Sequence, residues 1–137
     1  MSATREDVVR EALSWVGTRY HSCASQKGKG VDCGLLLREI YCGLGLAPWF
    51  DPLPYKPQWY MHNERPVYLE WLQKYAHRVE HPGLGDVAMF NFGKHAAHGG
   101  VIVSESAMVH AYLPRRRVIV SERRQFLQQF DSYWSCF

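Results

Sequence analysis

The strongest constraint on this chain is a change of period. Up to about residue 75 its apolar residues recur at helical spacing; from Asp86 onward they fall in short runs separated by turn residues. Val8, Val9, Ala12, Leu13 and Val16 predict a helix over about 5–16. Thr4 and Asp7 resemble a capping box with Asp in place of Glu, and Gly17 closes the run. Leu36, Leu37, Ile40, Tyr41 and Leu44 form the stripe of a second helix, which starts at Asp32 or Cys33 and ends at Gly43 and Gly45. A third helix is expected over about 67–75, and residues 20–31 read as a glycine- and serine-rich loop. Short strands are expected at 86–92, 99–103, 108–112 and 118–120, then a short helix near 122–130 and a final extended segment. Helices first and strands second imply an α+β fold, with helices on one face of an antiparallel sheet.

At 137 residues the chain is long enough for one domain with a real core and too short for two, so 1–137 is read as a single domain. No apolar stretch approaches the ~18 residues of a membrane span. The first ten residues are polar, with Arg5, Glu6 and Asp7, and lack the apolar run of a secretory signal. The expectation is synthesis in the cytoplasm without a signal peptide, with any exit by a route that needs none. A formal charge of +3 is too small a bias to imply nucleic-acid binding. The aromatic share, 14%, is high enough to call for a groove or an interface as well as a core. Four prolines (48, 52, 54 and 57) interleave with Trp49, Phe50, Tyr55, Trp59 and Tyr60, a long segment of the kind that is functional or covers a core edge.

The four cysteines, at 23, 33, 42 and 136, contain no C-x-x-C pair, which argues against structural zinc, and a disulfide framework is not expected in a chain of this size without a signal. Cys33 is singled out by position. At a helix N-terminus a thiol meets unsatisfied N–H groups and the positive end of the helix dipole, which favour thiolate. The competing reading is a small, buried, inert residue. A thiolate also needs a base. If Ser104-Glu105-Ser106 is a turn with an odd number of residues, His98 and His110 share one face of a hairpin, where one imidazole can act as base and the other orient it. Two surface histidines are the alternative. A metal site of His95, His98 and His110 is disfavoured by the absence of an acid at ligand spacing; no metal or other cofactor is expected. His21, His62, His77 and His81 read as surface residues.

Five segments, in order, resemble the motifs of NlpC-type cysteine peptidases, which are papain-like cell-wall hydrolases. They are Gly17-Thr18-Arg19-Tyr20, Val31-Asp32-Cys33-Gly34, Gly85-Asp86-Val87-Ala88-Met89-Phe90, His98-Gly99-Gly100-Val101-Ile102-Val103 and Met108-Val109-His110-Ala111. The resemblance covers roughly residues 8–111. It implies a papain-like core with Cys33 as nucleophile, His98 as general base and His110 as the orienting third residue. It implies further that the Tyr20 hydroxyl and the Cys33 N–H stabilise the oxyanion. Asp32 resembles the acid that holds the free amine of a stem peptide, beside an independent reading as helix N-cap. The substrate implied is peptidoglycan, cut in its stem peptides, often between D-glutamate and diaminopimelate. Residues 24–30 and 54–59 look like the branch found in tailed phages and gene-transfer particles. That implies a place in a virion tail tip or baseplate, other tail proteins as partners, and action in the host cell wall.

The chain also departs from that pattern. Gly34 and Leu35 follow Cys33 where most relatives read Asp-Cys-Ser-Gly, which alters recognition of the substrate's amino end. His21-Ser22-Cys23 replaces a usual glycine pair at the cleft entrance. The cluster Arg115-Arg116-Arg117, with Arg123 and Arg124, reads as a solvated face or as a contact for acidic stem peptides or a neighbouring tail protein. Two other readings stand beside it: a catalytically weak or inactive tail hub or plug that keeps the fold, favoured by the aromatic, proline-rich segment, and a papain-like thiol enzyme that uses the same residues for amide or acyl transfer.

Overall fold

The computed structural model describes residues 2–49, 67–92 and 96–137. Helix α1 spans Arg5–Ser14. Its capping box is formed: Asp7 N donates to Thr4 Oγ1 at 3.2 Å, and Thr4 N to Asp7 Oδ2 at 2.8 Å. The helix stops two residues short of the expected end. Leu13 and Val16 are exposed, and it is Trp15 that turns inward, so the stripe buries only Val8 and Ala12 within the helix. Gly17 follows at φ 93°, a left-handed conformation that lets the chain turn back.

Residues 20–31 are not all loop. Strands β1 (Ser25–Gln26) and β2 (Gly30–Val31) form a small antiparallel ribbon that delivers the chain to helix α2, Cys33–Gly43. Leu35, Leu36, Leu37, Ile40 and Tyr41 are fully buried, because α2 packs against both α1 and the sheet. Burying each such aliphatic side chain stabilises the fold by about 1.5–3 kcal/mol. Helix α3, Val67–Tyr75, has the expected bounds.

Strands β3 (His77–Val79), β4 (Val87–Asn91), β5 (Ala96–Ile102), β6 (Ala107–Tyr112), β7 (Arg117–Glu122) and β8 (Phe130–Ser135) form one antiparallel sheet, in the order β3-β8-β4-β5-β6-β7. The final extended segment is thus an inner strand. The expected helix near 122–130 is a 3-10 stretch, Arg123–Gln129, broken by non-helical dihedrals at Phe126. Alternation gives the sheet two apolar faces. Val87, Met89, Val101, Val109 and Ala111 join the core with α1 and α2. Ala88, Phe90, Ile102 and Met108 pack with Phe126 on the other side.

Gly99 sets how closely α2 approaches the sheet. A Cβ there would lie 2.7 Å from Leu37 Cδ1 and 3.1 Å from Met89 Sδ, so those side-chain ends would have to shift to admit one. The strand that carries His98 and the helix that begins at Cys33 are thereby held in contact.

Candidate active site

Asp32 is the N-cap of α2. Its Oδ1 accepts from Leu35 N at 2.9 Å and its Oδ2 from Cys23 N at 2.8 Å. The carboxylate ties the helix start to the preceding loop, where Cys23 sits at φ 64°. Asp32 is buried, and its capping role is present in the structure. Cys33 follows as the first helical residue, 5% exposed, lining a cleft of about 580 Å³. Tyr20, Phe92, His98, Tyr112 and Phe126 line the same cleft.

His98 and His110 come together through the parity of a hairpin. Val101 pairs with Val109 and Ile102 with Met108, while Val103 N donates to Ala107 O at 3.1 Å. Ser104-Glu105-Ser106 is therefore a three-residue turn, and even-numbered residues face even-numbered ones. His98 Nε2 lies 2.7 Å from His110 Nδ1, and His110 Nε2 lies 2.8 Å from Ser121 Oγ on β7. A bulge at Phe90/Asn91, where Phe90 pairs with His98 but Asn91 with Ala96, adjusts the start of β5 beside His98. Phe92 stacks on the His98 ring at 4.6 Å and 8°. Tyr112 and Phe126 pack against His110 with ring centroids at 5.0 and 5.5 Å.

Burial dominates the electrostatics. It pushes His110 from the ordinary 6.5 down to about 4. Burial, and then the neighbouring His110, push His98 well below its ordinary value. Both rings are neutral near pH 7, so His98 is an unprotonated base. Its Nε2 is committed to His110, which leaves Nδ1 as the nitrogen that can serve Cys33. A helix-terminal thiol, a neutral imidazole and a cleft beside them are the parts needed for attack on a carbonyl carbon.

The remaining candidates separate clearly. Tyr20 reaches the cleft wall through a bridge with Val31 and a bond from its N–H to Arg116 O at 2.9 Å. His21, His77 and His81 are exposed; His62 and His95 lie outside the described residues. Among the described residues, no three His, Cys, Asp or Glu side chains are grouped to hold a metal ion. Arg115, Arg116, Arg117 and Arg124 are exposed, whereas Arg123 donates to Tyr133 Oη at 3.0 Å and to the Glu105 carbonyl, a structural tie. Of the segment 48–60, only Pro48 and Trp49 are described; Trp49 is exposed and lies over Arg38 at 4.1 Å. Ser121 and the aromatic collar of Phe92, Tyr112 and Phe126 were not singled out by sequence. Their signal is faint, because Ser121 lies just past the predicted strand and Phe92 past a bulge.

No family model matches the sequence, and no curated protein matches it. Solved structures do. The NlpC/p60 domain of the peptidoglycan hydrolase SagA superposes with a TM-score of 0.65 at 18% identity, covering 97% of this chain and 99% of that one. The fold is that of NlpC/p60 domains. An NlpC/P60 family protein from Bacillus cereus ATCC 10987 gives 0.67 at 18% identity over 97% of this chain and 40% of its own. NlpC2 from Trichomonas vaginalis gives 0.72 at 15% identity over 98% and 49%. The chain thus spans the SagA domain but half or less of the other two proteins. The α+β, papain-like architecture implied by the sequence motifs is the one observed.

Proposed function

We propose that the chain is a cysteine peptidase that hydrolyses stem-peptide bonds of peptidoglycan. The observation that carries this reading is the meeting of Cys33 and His98 in one cleft, with His110 bonded to His98 at 2.7 Å. His98 Nδ1 takes the Sγ proton, and the thiolate attacks the carbonyl carbon of the scissile amide. The negative charge moves to the carbonyl oxygen, where the Cys33 N–H and the Tyr20 hydroxyl stabilise it. As the intermediate collapses, the C–N bond breaks and His98 returns the proton to the leaving amine. Water then attacks the thioester with His98 again as base, releasing the acid and restoring the thiol. His110 holds the His98 ring and its proton on Nε2.

Asp32, with both carboxylate oxygens on backbone donors, serves this reading by fixing Cys33 at the helix end. The bond cut is one next to D-glutamate and diaminopimelate, the class of substrate that the sequence motifs imply. The working place is a phage tail tip or baseplate acting in the host wall, with other tail proteins as partners; the segments 24–30 and 54–59 support that part.

The test is mass analysis of purified peptidoglycan incubated with the protein and with Cys33→Ala. New peptide fragments that require Cys33 are expected. Intact peptidoglycan with both proteins would sink the peptidase reading and favour a structural tail component.

A further inference from the structure

We infer that Ser121 is a positioning residue: by accepting a hydrogen bond from His110 it fixes the tautomers of both histidines and leaves His98 with an unprotonated Nδ1 for Cys33. The inference deepens the peptidase reading and rests on it for its meaning in catalysis.

The heavy atoms form a chain from His98 Nε2 to His110 Nδ1 at 2.7 Å, and from His110 Nε2 to Ser121 Oγ at 2.8 Å. Such a chain has two self-consistent proton arrangements, because each neutral imidazole carries one N–H and one lone pair. In the first, His98 Nε2–H donates to His110 Nδ1, His110 Nε2–H donates to Ser121 Oγ, and His98 Nδ1 is bare. In the second, every bond is reversed: Ser121 donates to His110 Nε2, His110 Nδ1–H donates to His98 Nε2, and the His98 proton sits on Nδ1. Only the first contains a base. It also loads economically: when His98 takes the thiol proton, no other bond in the chain changes direction.

What selects between them is the far end. Both rings are buried, His110 completely, so the proton on His110 Nε2 needs an acceptor. Ser121 supplies it. Its hydroxyl hydrogen has somewhere else to go, because Ser121 also lines a second cavity of about 490 Å³, together with Tyr112, Arg115, Glu122, Gln125 and Phe126. A hydroxyl whose hydrogen turns into that polar space presents its lone pairs to His110. Register places it there: Met108 pairs with Ser121 and His110 with Ile119, so Ser121 is the diagonal neighbour of His110 on the same sheet face.

The test uses the full chain with three substitutions. Ser121→Ala removes the acceptor. Ser121→Cys keeps the volume with a weak acceptor. Ser121→Thr keeps the hydroxyl. Two readouts need no substrate: the ring nitrogen chemical shifts of His98, which report its tautomer, and the rate of Cys33 alkylation by iodoacetamide against pH. The wild-type chain and Ser121→Thr are expected to hold the His98 proton on Nε2. Ser121→Ala is expected to move it to Nδ1 and to slow alkylation near neutral pH by about 10- to 100-fold, the equivalent of one unmade buried hydrogen bond. Ser121→Cys falls between, and keeps the test informative should the Ala variant fold poorly. Turnover of peptidoglycan should fall in kcat with KM unchanged. The inference is overturned if Ser121→Ala or Ser121→Cys keeps the wild-type tautomer and alkylation profile, or if Ser121→Thr behaves like Ser121→Ala. A wild-type chain that leaves peptidoglycan intact would defeat the peptidase reading instead, while the two substrate-free readouts still judge Ser121.

Discussion

Acid should unfold this protein through its two buried histidines. Both are held neutral in the native state, His110 at about 4 and His98 well below its ordinary value. In the unfolded chain each returns to about 6.5. Between those values the unfolded state binds more protons, so stability rises with pH and falls on acidification. The stabilisation is complete above about pH 6.5 and is lost progressively as pH drops toward about 4 for His110. His110 contributes a slope that approaches about 1.4 kcal/mol per pH unit inside that window, and His98 acts in the same direction. For His110 the full loss is about 3 kcal/mol. From about pH 6.5 to about pH 5 His110 alone should remove about 1.5 kcal/mol, and His98, lowered in the same direction, adds to that loss, against the ~5–15 kcal/mol that holds an ordinary domain. Asp7, lowered by its bonds with Thr4, titrates below this window and does not contribute to it.

The assay is urea denaturation at half-unit pH steps, on the wild-type chain and on the double variant His98→Gln, His110→Gln. Glutamine keeps hydrogen-bonding groups at both sites but does not titrate. The double variant will differ in absolute stability, so the informative quantity is the difference in slope. A wild-type curve that stays parallel to the variant between about pH 6.5 and about pH 5 would refute the argument, since it would mean that the rings charge in place without penalty.

Alkylation near neutral pH should label Cys33 first. Cys136 resists because burial, with Asp86 and Cys42 nearby, pushes its thiol up to about 11, and preferential labelling at 23, 42 or 136 would count against the nucleophile. His98→Ala should lower peptidoglycan turnover by about 100- to 10,000-fold, the usual worth of a general base, and His110→Ala by less, since water can partly replace an orienting group. Equal losses in the two would show that they do not divide the roles. Gly99→Ala should destabilise by about 1–3 kcal/mol through the Leu37 contact, and thermal melts would reveal it; an unchanged melting temperature would mean that α2 is not held against β5 as described.

What the sequence made legible was local. Cys33 could be placed at a helix start because Asp32, the apolar stripe and the closing glycines all lie within a few residues of it. The His98–His110 pairing was legible because the turn between their strands is short, so parity alone decides which face each imidazole takes. Strand β3 escaped notice because it has three residues, largely exposed, and its partner is the C-terminal strand, more than fifty positions away. The end of α1 was misplaced because Leu13 and Val16 carry the helical period yet remain exposed, while Trp15 takes the buried place. Periodicity reports which residues could share a face, and only packing decides how wide the buried stripe is.

The site joins these levels in a definite order. Helix α2 brings the thiol, and the missing side chain at Gly99 sets its depth against β5. The three-residue turn brings the two imidazoles to one face, and the aromatic collar fixes their rings. None of this determines where the protons lie. That choice passes to Ser121, whose Oγ is the last heavy atom in the chain of bonds that starts at His98. Its place at the end of that chain, beyond both histidines, is why its effect should show in the rate and pH profile rather than in substrate affinity. A residue that touches no substrate can alter the reaction only through the proton on the nitrogen that does the work.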